Sequence, residues 1–87
     1  MGESKKALEY YEKALKIDLN VYGENHPNVA TEYNNMGNAW DIIGESKKAL
    51  EYYEKALEIL QKFYDDNHPR VRKIKNNINS IRNPKSQ

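Results

Sequence analysis

Fourteen consecutive letters, GESKKALEYYEKAL, occur twice in this chain, at residues 2–15 and again at residues 44–57. The offset is 42 residues, and it persists outside the identical block. Ile17 matches Ile59, Tyr22 matches Tyr64, Asn25, His26 and Pro27 match Asn67, His68 and Pro69, Val29 matches Val71, and Asn34 and Asn35 match Asn76 and Asn77. A fixed period of this size marks a repeat architecture, in which each unit buries its apolar face only by stacking on a neighbour. It constrains the fold more than any local feature does.

Within each period the apolar residues recur at steps of three and four, the spacing of one helical face. Four helices are predicted, at about residues 4–22, 27–42, 46–64 and 69–82. The first carries Ala7, Leu8, Tyr11, Ala14, Leu15, Ile17 and Leu19. The second carries Val29, Tyr33, Met36, Ala39, Trp40 and Ile43, and the third repeats the first. The fourth has only the narrow stripe Val71, Ile74, Ile78 and Ile81, the pattern of a terminal helix wet on its outer side. Ser4 and Ser46 are expected to cap the first and third helices, and Asn25 or His26 the second. Gly23 and Gly44 are expected to close the helices before them. Pro27 and Pro69 suit a first helical position, where a missing N–H costs nothing. Gly37 lies in mid-helix, where glycine costs about 1 kcal/mol against alanine. Another helix is therefore expected to approach closely there. Pro84 should prevent continuation of the fourth helix, leaving the last residues frayed.

Eighty-seven residues make one domain. The hydrophobic fraction is only 38%, but seven tyrosines supply area to bury at little cost in hydropathy. A net charge of +1 with both signs interspersed is not the composition of a disordered chain. There is no cysteine, which excludes disulfides and thiolate metal sites and fits a reducing, cytoplasmic setting. No apolar run is long enough to span a bilayer. Residues 67–87 hold six basic side chains and no acid. Basic residues without base-reading or stacking groups argue for a solvated face rather than a nucleic-acid surface. His26 and His68 sit one period apart at equivalent corners without a second metal ligand on a neighbouring turn, so capping is the better reading. No catalytic grouping and no phosphate loop is present. The chain reads as non-enzymatic, without cofactor or metal.

The run Tyr33, Met36, Gly37, Trp40, Ala49, Tyr53, Ala56, with spacings 3, 1, 3, 9, 4 and 3, resembles the tetratricopeptide repeat. Ala7, Tyr11 and Ala14 resemble the second half of a preceding unit. The period of 42 and the Asn-His-Pro corner are similar to the longer variant of kinesin light chains. This resemblance implies an all-α solenoid of antiparallel helix pairs with right-handed superhelical stacking, spanning residues 1–87. It also implies a groove for a peptide or partner protein, lined by Thr31, Asn34, Asn38, Asp41 and Ile42 on the second helix. On the fourth helix it implies Lys73, Asn76, Ser80 and Asn83. The amides suit an extended peptide backbone, and Lys73 beside them suits an acidic partner. Two departures stand out: Asn79 replaces the family's small residue and Arg82 its aromatic. The frame opens on a helix of the second kind, as in a fragment or engineered piece of a longer array. The alternative function is a structural unit that forms homo-oligomers through uncovered parts of Leu8, Tyr11, Leu15 and Leu19 and has no ligand of its own.

Overall fold

The computed structural model describes residues 2–83 and contains four helices among them: α1 (Gly2–Tyr22), α2 (Pro27–Ile43), α3 (Ser46–Gln61) and α4 (Pro69–Arg82). Each packs on the helix before it, and α2 is held between α1 and α3. The expectations for Pro84 and the residues after it lie outside the described residues.

The helix ends follow from local chemistry. Gly23 and Gly44 have φ of 81° and 102°, a left-handed backbone that only glycine adopts cheaply. The Gly23 N–H bonds the Leu19 carbonyl at 3.0 Å, closing α1. At the end of α2 the Gly44 N–H reaches Asp41 O at 3.1 Å and the Glu45 N–H reaches Trp40 O at 2.9 Å, the double bond pattern of a Schellman cap. This tight exit corrects the expected Ser46 cap. Glu45 is already the cap of α3, so Ser46 is helical and caps nothing, and no side chain caps that end. Ser4 likewise falls inside α1, which begins at Gly2. The third helix also stops earlier than expected, at Gln61. The position matching Gly23 is Asp65, so no left-handed glycine closes α3. The chain tightens instead through Lys62 N–H to Ile59 O at 3.1 Å and Phe63 N–H to Leu60 O at 3.0 Å.

The two corners are built alike. His26 Nδ1 accepts from Asn28 N–H at 3.0 Å, and His68 Nδ1 accepts from Arg70 N–H at 3.1 Å. The histidines are thus the caps of α2 and α4, each followed by the expected proline at the helix start. Tyr22 stacks on His26 with ring centroids 4.0 Å apart, and Tyr64 stacks on His68 at 3.9 Å. Stacking holds each imidazole in the orientation that capping needs.

The main core lies between α2, α3 and α4. Val29, Ala30, Ala49, Tyr53, Ala56, Leu60, Val71, Ile74 and Ile78 are buried there. A smaller cluster of Leu8, Met36 and Ala39 seals α1 to α2, with Tyr11, Leu15 and Ile43 packed against it. Trp40 touches both clusters, with Lys48 Nζ 4.3 Å from its ring centroid. Gly37 does mark a close approach. A Cβ placed there would lie 2.6 Å from both Cδ1 and Cε1 of the Tyr53 ring.

Tyr53 is 2% exposed, and its hydroxyl donates to Asn38 Oδ1 at 2.5 Å. Burial, with a smaller contribution from the Asp41 charge, pushes its pKa up to about 12. An unfolded tyrosine titrates near pH 10. Between those values the folded chain keeps a proton that the unfolded chain has lost, so stability falls as pH rises. Below pH 10 the full contribution is present. Urea midpoints at pH 8, 10 and 11.5 are expected to drop only over the last interval, with a shallower drop in Tyr53→Phe.

Candidate peptide groove

Helices α2 and α4 stand side by side on one face of α3 and leave a recess of about 210 Å³ between them. Its floor is apolar: Ala30 from α2, Leu60 from α3 and Ile74 from α4. Its walls are polar: Thr31, Asn34 and Asn35 on α2, Arg70 and Lys73 on α4. Among the described residues no carboxylate lines it.

The walls are tied across the gap. Arg70 Nη2 donates to Thr31 Oγ at 2.5 Å and to the Pro27 carbonyl at 3.5 Å, and its guanidinium carbon lies 5.9 Å from the Tyr64 ring centroid. The His68 cap starts α4 at this height and so sets where Arg70 emerges. Deeper along the recess, Asn77 Nδ2 donates to Asn34 Oδ1 at 3.1 Å, leaving the Asn34 amide N–H groups to donate elsewhere. Lys73 is exposed and has neither hydrogen bond nor ion pair among the described residues.

Of the residues expected in the groove, the structure brings together Thr31, Asn34 and Lys73. Asn38 lies further along α2, its oxygen engaged by Tyr53, where it borders a second recess with Ser4, Ala7, Tyr11 and Ile42. Asp41, Asn76 and Ser80 are exposed and line neither recess. The amide facing Asn34 is Asn77 rather than its repeat counterpart Asn76, because repeat equivalence places residues on the same face of successive helices, not opposite one another. Sequence reading missed Arg70 and Asn35 as groove residues. Arg70 matches Asn28 in the first repeat, so periodicity could not flag it. Its position directly after the His-Pro cap was the available signal.

The basic face of α4 is partly neutralised within the chain. Lys75 pairs with Asp66 at 3.3 Å and Arg82 with Glu54 at 2.5 Å. Arg82, which departs from the family's aromatic, thereby makes an exposed ion pair. Among the described residues no group of histidine and carboxylate side chains is arranged to hold a metal, and no helix is long and apolar enough to cross a membrane.

Paired helices sealed by small residues against aromatic rings, repeated at a fixed period, define an α-solenoid of helical hairpins. The model of the tetratricopeptide repeat family matches residues 1–62, which run from α1 to the end of α3, and the chain belongs to that family. Tetratricopeptide repeats are a non-enzymatic fold that mediates protein–protein interaction. No curated protein matches the chain significantly.

Proposed function

We propose that the chain is a protein-interaction module whose α2–α4 groove receives an extended acidic peptide of a partner protein. The observation that carries this reading is a recess walled by two cations and two amides with no acid among its lining residues. Arg70 is held in place by Thr31, the Pro27 carbonyl and the Tyr64 ring. A guanidinium already ordered in this way loses little side-chain entropy on pairing with a carboxylate. Lys73 carries a charge that no ion pair among the described residues neutralises. The amides of Asn34 and Asn35 can pair with peptide backbone whatever its sequence, and the apolar floor accepts one small hydrophobic side chain.

Fluorescence anisotropy with labelled peptides tests this. A peptide rich in Asp and Glu is expected to bind more tightly than its Asn and Gln counterpart, by about tenfold at low salt, with the difference shrinking as salt rises. Arg70→Ala with Lys73→Ala should weaken the acidic peptide at least as much, and Asn34→Ala should weaken both peptides alike. Equal affinity for the two peptides, or indifference to the charge substitutions, would remove the groove assignment.

A further inference from the structure

Five cations lie on α4, and they divide by where each finds a counter-charge. Lys75 pairs with Asp66 and Arg82 with Glu54. Arg72 is exposed and does not line the α2–α4 recess. Arg70 and Lys73 do line it, and neither has an ion pair among the described residues. Standing three residues apart on one helix, they are neighbours on one face, with Cβ atoms about 5–6 Å apart. Arg70 spends Nη2 on Thr31 and the Pro27 carbonyl, which leaves Nε and Nη1 to donate to a ligand. Its main-chain N–H is bonded to His68, so the start of α4 offers side chains here rather than backbone. The opposite wall adds the half-buried Asn34 and Asn35. All the lining residues belong to α2, α3 and α4, three consecutive helices of the chain.

We propose that the anion received by Arg70 and Lys73 is the phosphoryl group of a phosphoserine in the partner's extended segment, an inference that rests on the groove reading above and names its ligand. Charge selects it. A carboxylate brings one negative charge to two cations, whereas a phosphoserine brings about −1.5 to −2 at pH 7 and three acceptor oxygens. Two carboxylates side by side would supply the same charge, but in a recess of about 210 Å³ they would repel each other. One phosphorus centre carries that charge without the crowding. The two cations also suit a shared anion. Arg70 is pinned and presents a planar fork, and the flexible Lys73 stem can bring its ammonium to the same oxygens. Reach selects serine over tyrosine. The cations and the Asn34 and Asn35 amides line one recess, so the anion and the main chain of the ligand are held close together. A phosphoryl group one methylene from the backbone satisfies both, whereas the ring of a phosphotyrosine would hold the main chain away from the amides.

The test uses the labelled Asp- and Glu-rich peptide with one central residue made as Glu, Ser, phosphoserine or phosphotyrosine. In fluorescence anisotropy, phosphoserine is expected to bind at least about tenfold more tightly than Glu at that position, and more tightly than phosphotyrosine. Arg70→Lys, which keeps the charge and loses the fork, and Lys73→Ala should each cut that gain to about twofold or less. Lys73 is exposed and makes neither hydrogen bond nor ion pair among the described residues, so its variant should keep the helical circular dichroism. Arg72→Ala removes the same charge from outside the recess and should leave the gain in place. Inorganic phosphate alone should compete far more weakly than the unlabelled phosphopeptide, because it offers no main chain to the amides. Phosphoserine no better than Glu, a gain lost equally in Arg72→Ala, or inorganic phosphate competing as well as the peptide would overturn the proposal. A preference for the acidic peptide over its Asn and Gln counterpart, without a gain from phosphoserine, ends this proposal alone. Loss of that preference ends the groove reading with it.

Discussion

Gly37→Ala is expected to destabilise the chain by about 3 kcal/mol, the upper part of the range for overpacking a core. Measured by thermal unfolding, that corresponds to a midpoint lower by roughly 15 °C for a domain of this size. The added methyl would sit 2.6 Å from two ring carbons of Tyr53, far inside van der Waals contact. The ring is not the free end of a flexible side chain. It is 2% exposed, and its hydroxyl is tied to Asn38. Relief therefore requires α2 and α3 to separate, which also loosens Ala30, Ala49 and Ala56, all buried completely. In an exposed helix the same substitution would stabilise by about 1 kcal/mol, because alanine is the better helix former. The two contributions are separable. In a Tyr53→Ala background the obstacle is gone, and Gly37→Ala should become neutral or favourable. A loss that persisted unchanged in that background would refute the close approach as the reason for glycine.

Tyr53→Ala and Tyr11→Ala form the second prediction, and the comparison matters more than either value. Both tyrosines stand in the same sequence, with identical neighbours for nine residues before and four after. Tyr53→Ala removes a fully buried ring from the main core and is expected to cost about 4 kcal/mol. Tyr11 is half-buried against the smaller cluster, and its loss should cost about 1.5 kcal/mol. Chemical denaturation of the two variants measures the difference. Equal losses would mean that burial in this chain does not depend on position along the solenoid.

The helices, their approximate ends, the short corners and the glycine at the close approach were all legible in the sequence. Each rests on spacing along a single chain: apolar residues at steps of three and four, proline after histidine, a small residue opposite a bulky one 16 positions on. The Ser46 cap was misjudged because a two-residue exit from α2 makes Glu45 serve two helices, a result of how tightly α2 and α3 close. The groove was legible only in part. Thr31, Asn34 and Lys73 follow from the repeat frame, but Arg70 is unique to one repeat. Its role depends on Thr31 and Tyr64, which approach it only after folding.

By itself the sequence determined that residues 2–15 and 44–57 form the same helix, because local propensity and apolar spacing are identical in the two. It had no means to make them equivalent. Only the tertiary arrangement decided that α3 has a helix on each side and α1 on one, since burial depends on what neighbours a residue in space. That is why Ile59 lies in a core and Ile17 faces water, although six of the seven residues leading up to one are identical to those leading up to the other.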